Sequence, residues 1–192
     1  MTPRERHIAL MEATEYTTDP DTYRTLMHDT WTMWAAWNAC EFGNALRPLA
    51  VAPTDDTLML GVNDEEETTV GGCYSRDGRY ILIDTAAQVR HTQEGLGQTL
   101  YHHVAETLLH EMIHEFCHEN GIKDTDADGT HNEAFRDTAR AHGLVCHIGT
   151  QGWNLTHVRK GHWAPFYRML PTELARRMRN THIPFMDTEE EE

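Results

Sequence analysis

Lysine is nearly absent from this sequence, with two among 192 residues, and the 16 lysines and arginines face 31 acidic side chains for a formal net charge of -15. A surface this acidic repels nucleic acid and anionic membranes on average. The exception is local. Arg159, Lys160, Arg168, Arg176, Arg177 and Arg179 stand against the single acid Glu173, so that segment carries +5 and the rest of the chain -20. A solvated helix face accounts for this about as well as a phosphate-binding surface does. Long apolar runs are also missing, so no segment is expected to span a bilayer. The opening residues, MTPRERHIALMEATEY, lack the apolar stretch of a secretory signal, and the expectation is a cytoplasmic protein. Cysteine is sparse: Cys40, Cys73, Cys117 and Cys146 form no C-x-x-C pair, which argues against a zinc ribbon or a dense disulfide framework and for buried free thiols.

The length suits one domain with a proper core and short tails. Asp19-Pro20 predicts a helix start, and Tyr23, Leu26, Met27, Met33, Trp34 and Trp37 then recur at helical spacing as a core-facing stripe. From Pro48 to Val70, apolar fragments interrupted by the acidic cluster Asp64 to Glu67 suggest strands joined by a solvated loop. Asp77-Gly78, flanked by Cys73-Tyr74 and Tyr80-Ile81-Leu82-Ile83, predicts a hairpin ending near Asp84. The segment LYHHVAETLLHEMIHEFCHEN places Val104, Ala105, Leu108, Met112, Ile113 and Phe116 on one stripe and closes at Gly121, as an amphipathic helix does. A polar loop, KDTDADGT, leads to a second helix from about Asn132 to His142, with Gly143 closing it. The chain then reads as irregular up to a basic amphipathic segment, PTELARRMR. The organisation expected is an N-terminal extension (1–18), a main domain (19–170), a basic C-terminal segment (171–186) and a disordered acidic tail (187–192).

Within the amphipathic helix, His110-Glu111-Met112-Ile113-His114 is an H-E-x-x-H pattern. Residues four apart lie one turn above each other, so two imidazoles can converge on one ion while Glu111, offset, faces a water at its open position. Zinc would acidify that water and polarise a scissile carbonyl, and Glu111 would take the proton and pass it on. With 14 histidines in the chain, the setting matters as much as the motif: Leu108, Leu109, Met112 and Ile113 wall the pattern with apolar side chains.

A catalytic zinc commonly takes three protein ligands. Cys117 and Asn120 stand where a metzincin would carry its glycine and third histidine, which excludes that arrangement. His118 is one further turn along the helix, too far to join both His110 and His114 easily. His131 and Glu133 remain, and Glu133 resembles the glutamate that thermolysin-like enzymes carry on a downstream helix. Asp124, Asp126 and Asp128 mimic the start of a calcium loop, but its twelfth position is Phe135 rather than glutamate, so the loop reads as a turn presenting His131. An oxyanion-stabilising donor is also expected, with Tyr80, His157, His162 and Tyr167 as candidates that spacing does not separate. The Gly-, Trp- and His-rich segment GTQGWNLTHVRKGHWAPF is a candidate cleft lining from composition alone.

The stretch TLLHEMIHEFCHENGIKDTDADGTHNEAFRDTARAHGL resembles the SprT-like metallopeptidases, a family that includes Spartan, over about Trp34 to Leu144. The resemblance implies an α+β fold, with a small antiparallel sheet beside the H-E-x-x-H helix. It also implies His131 as third zinc ligand beside His110 and His114, with Asn132, Phe135 and Gly143-Leu144 in the accompanying positions, and Glu111 as catalytic base. The function implied is zinc-dependent peptide-bond hydrolysis of protein substrates, including DNA-associated ones. The cysteine-rich zinc ribbon of some relatives has no counterpart here, so DNA binding by that route is not expected. The competing reading is a non-catalytic zinc protein with a structural or host-interaction role, against which the intact Glu111 argues.

Overall fold

Proline at the first position of a helix gives up an N–H for which the helix has no acceptor, and α1 (Pro20–Glu41) begins at that residue. The computed structural model describes residues 20–54, 59–62, 66–69, 71–84, 100–149 and 152–179. The expected N-terminal extension, the acidic tail and the side chain of Tyr23 lie outside the described residues. The remaining members of the α1 stripe, Leu26, Met27, Met33, Trp34 and Trp37, are buried as their spacing predicts.

After α1 come β1 (Ala50–Thr54), β2 (Met59–Val62), β3 (Glu66–Thr69), β4 (Gly72–Ser75), β5 (Tyr80–Asp84) and the long helix α2 (Leu100–Glu119). They are followed by α3 (Glu133–Ala141), β6 (Leu144–Gly149), β7 (Gly152–Val158), α4 (Lys160–Met169) and α5 (Thr172–Arg179). Helices and small sheets mix along the chain, which makes the fold α+β. The hairpin around Asp77-Gly78 forms β4 and β5 and ends at Asp84, as expected. The sheet it belongs to is mixed rather than antiparallel. Its order is β1-β5-β4, with β1 parallel to β5 and Val51 opposite Ile81. Three strands intervene between β1 and β5, so the chain re-enters the sheet in its original direction. Pro53 has no N–H for a ladder, and it sits in β1, an edge strand among the described residues.

The core gathers around α2. Val104, Ala105, Leu108, Leu109, Met112, Ile113 and Cys117 are all buried, and the helix packs against α1, α3, β4, β5 and β7. Trp37 of α1 donates from Nε1 to the Ala105 carbonyl at 3.0 Å, and its ring stacks on Phe166 of α4 with centroids 3.9 Å apart. That pairing joins α1 to α4. The segment after Gly143, expected to be irregular, instead forms the β6–β7 hairpin and α4. Its period-two pattern is broken because Ile148 and Leu155 are exposed, and Pro165 inside α4 reads as a helix break. In α5, Leu174, Ala175 and Met178 join the same core. Among the described residues no helix is long and apolar enough to cross a membrane.

Two buried acids set the stability expectations. Asp29 of α1 accepts from Arg177 Nη2 at 2.8 and 2.7 Å and from the Tyr101 hydroxyl at 2.8 Å. Removing a buried partner strands the others. Because Arg177 is partly exposed, Asp29→Ala is expected to cost about 2 kcal/mol in urea unfolding; a loss below about 0.5 kcal/mol would contradict that role.

Glu115 accepts from Trp34 Nε1 at 3.2 Å, and burial chiefly pushes its carboxyl up to about 8, with Glu119 adding. An unfolded glutamate titrates near about 4.3, so the folded state retains a proton that the unfolded state has released. This contribution is complete below the unfolded value and is lost as pH rises through about 8. Glu115→Gln, which cannot ionise, is expected to flatten the fall in urea midpoint between pH 5 and pH 8.5; identical slopes in both proteins would count against it.

Candidate metal centre

Helical spacing places His110, Glu111 and His114 on neighbouring turns of α2, and the chain then loops back so that His131 meets them. His110 Nε2 lies 3.2 Å from His131 Nε2, and His114 Nε2 lies 2.9 Å from the same atom. All three ligand atoms fall within 4.8 Å of one another. A tetrahedral ion with bonds of about 2.05 Å holds its nitrogens about 3.3 Å apart, so the three imidazoles are close enough to bind a metal ion. Phe135, fully buried, packs against all three rings, with centroids 4.8, 4.8 and 4.4 Å from those of His110, His114 and His131.

Backbone pairing fixes His131. It forms isolated bridges with Thr125 and Gly152, and its carbonyl accepts from the Trp153 N–H at 3.2 Å. Gly152 has φ of 73°, and a side chain there would collide with the His131 carbonyl, so glycine is what allows β7 to come this close. The next residue, Asn132, is the N-cap of α3. Its Oδ1 accepts from Ala134 and Phe135 N–H groups at 2.9 and 3.2 Å, and its Nδ2 donates to the Lys123 carbonyl at 3.0 Å.

The outward nitrogens are held as well. His114 Nδ1 lies 2.6 Å from Oδ2 of the fully buried Asp124, and His110 Nδ1 lies 3.0 Å from Thr156 Oγ1. An ionised carboxylate only accepts, so His114 donates from Nδ1 and presents Nε2 to the His131 ring. Burial alone would raise the Asp124 carboxyl, but the His114 hydrogen bond and charge, with its own backbone and Arg76, outweigh burial and hold it below the usual carboxylate range. Burial also pushes the His110 imidazole well below its ordinary value, with His114 and His131 adding. The His110 ring therefore resists protonation, and the three imidazole nitrogens lie close enough together to serve as donors to a metal ion.

Glu111 is buried beside them. Burial raises its carboxyl to about 7, opposed by the charge of His114 and a backbone hydrogen bond from Tyr74. Gly72 of β4 makes this possible, since a Cβ there would sit 2.7 Å from Thr107 Cγ2 and 3.2 Å from Glu111 Cγ.

The other sequence candidates are occupied elsewhere. Glu133 is exposed and pairs with Arg136 at 3.3 Å, leaving the third position to His131. His118 Nδ1 bonds the Tyr74 hydroxyl at 2.7 Å. In the calcium-like loop, Asp124 serves His114, while Asp128 accepts from the Thr130 N–H at 3.0 Å and shapes the turn. Of the oxyanion candidates, His162 bonds Glu41 at 2.9 Å, Tyr167 bonds His102 at 2.6 Å, His157 stacks on His147, and Tyr80 opens β5. Sequence reasoning missed Asp124 and Thr156 as partners of the histidines. The cleft-lining segment proposed from composition does contain Thr156, which was its only signal. Compared with models of known protein families, with curated proteins and with solved structures, the chain matches none.

Asp124→Asn keeps the volume but loses the charge on His114, and it is expected to weaken divalent-metal affinity about 10- to 100-fold in a chelator competition assay. An affinity equal to that of the unsubstituted protein would show that Asp124 does not support the ligand.

Proposed function

We propose that this protein is a zinc-dependent metallopeptidase of the SprT-like type, with His110, His114 and His131 as metal ligands and Glu111 as catalytic base. The observation that carries the reading is the convergence of three imidazole Nε2 atoms beside a buried glutamate. Three imidazole donors suit a borderline cation such as zinc better than the hard cations magnesium and calcium. A structural zinc site closes with four protein ligands, whereas among the described residues this cluster offers three.

When bound, the cation supplies Lewis acidity, which polarises a carbonyl oxygen and lowers the pKa of water. Glu111 then accepts a proton from the attacking water and returns it to the leaving amide nitrogen. Its burial raises its proton affinity toward the range in which a base both takes up and releases protons. Asp124 and Thr156 keep the His114 and His110 rings turned inward, and Phe135 shields one side of the site from water.

The substrate class is protein. A role on DNA-associated proteins rests on the family resemblance, and the basic segment adds little to it. Arg177 is engaged with Asp29, and Arg176 pairs with Glu173 at 2.6 Å. The free cysteines Cys40, Cys73, Cys117 and Cys146 suit a reducing, cytoplasmic setting.

Glu111→Gln is expected to retain one zinc per chain and to lower cleavage of an unfolded protein substrate by about 10²–10⁴-fold. Unchanged cleavage by the metal-loaded variant would end the proposal.

A further inference from the structure

The β4–β5 hairpin grips the end of α2 and the loop beyond it at three points. The Tyr74 hydroxyl bonds His118 Nδ1 at 2.7 Å, Arg79 Nη2 donates to Glu119 Oε1 at 2.8 Å, and Arg76 Nη2 donates to Asp124 Oδ1 at 2.8 Å. The third grip differs from the others in where it leads. The second oxygen of Asp124 accepts from His114 Nδ1 at 2.6 Å, so one carboxylate joins the hairpin turn to a residue of the histidine cluster. Asp124 is fully buried and Arg76 is half-exposed. A carboxylate that accepts through both oxygens has its plane fixed by its two donors, and the plane in turn fixes the direction in which the imidazole N–H must point.

We propose that Arg76 is a positioning residue of the metal centre, orienting His114 through Asp124. The proposal rests on the reading of the histidine cluster as a metal site. Arg76 touches neither the ligand atoms nor any reacting group. It acts by holding Oδ1 so that Oδ2 stays on the His114 ring. The guanidinium is rigid and planar, whereas an ammonium on a flexible stem supplies charge without direction. Lysine at this position is therefore a partial substitute. Arg79 is the internal control, because it ties the same hairpin to α2 with a bond of the same length but ends on Glu119, outside the cluster.

The test is a set of zinc dissociation constants, measured by chelator competition on the full chain. The variants are Arg76→Ala, Arg76→Lys, Arg79→Ala, Asp124→Asn, His131→Ala and the Arg76→Ala/Asp124→Asn double variant, with circular dichroism confirming that each folds. Arg76→Ala is expected to weaken binding about tenfold and Arg76→Lys less. Arg79→Ala is expected to bind as the unsubstituted protein does, and the double variant to bind no more weakly than Asp124→Asn alone. Wild-type affinity in Arg76→Ala, equal losses in Arg76→Ala and Arg79→Ala, or fully additive losses in the double variant would each overturn the proposal. If Arg76→Ala does not fold, Arg76→Lys carries the comparison: unchanged affinity there sustains only a role for charge and overturns the orienting one. Zinc binding that His131→Ala abolishes would uphold the metal reading even where Arg76→Ala changed nothing, so the two ideas fail separately. Absence of zinc binding by the unsubstituted protein would overturn both.

Discussion

His131 Nε2 lies 2.9 Å from His114 Nε2 and 3.2 Å from His110 Nε2, gaps across which facing lone pairs are relieved only by a shared proton or by a cation. The protein nevertheless builds this arrangement from two distant parts of the chain. Two of the rings stand on α2, whose opposite face is sealed into the core, and the third is pinned by backbone bonds to the loop before α3 and to β7. Helix α2 and the backbone bridges of His131 hold the three rings together. The three imidazoles are thereby held close enough to bind a metal ion.

The supports divide by distance from the cluster. Closest are Asp124 and Thr156, which hold the outward nitrogens, and Phe135, which packs against every ring. Farther out, glycines allow backbone to come near: Gly72 lets β4 lie against Thr107 and Glu111, and Gly152 lets β7 reach His131. At the far side, the Trp37–Phe166 stack and the Asp29–Arg177 pair bring α1, α4 and α5 around α2. One face of α2 thus makes the core while the other carries two of the three clustered histidines.

Local signals in the sequence are legible where one element satisfies them. The α2 helix, its closing glycine, the Asp77-Gly78 hairpin and the α3 cap all follow from short-range chemistry. The pair His110 and His114 is equally visible, since helix geometry alone brings them together. The third ligand is less so. His131 and Glu133 are two residues apart, and only the bridge of His131 to β7 turns one inward while the other faces solvent. Asp124 lies hidden among similar acids in KDTDADGT, because what distinguishes it is burial against His114 rather than residue type. Thr156 belongs to β7, where the exposed Leu155 beside it blurs the alternation. The parallel pairing of β1 with β5 joins residues about thirty positions apart and leaves no mark in either strand, since pairing partners are chosen by long-range packing.

X-ray absorption at the zinc edge of the metal-loaded protein tests the central claim most directly. The account predicts one zinc per chain, bound by three imidazole nitrogens at about 2.0–2.1 Å with a fourth, non-protein oxygen, and a spectrum that loses one nitrogen in His131→Ala. A chain that retains no stoichiometric zinc after dialysis, or a spectrum with four protein ligands, would contradict it.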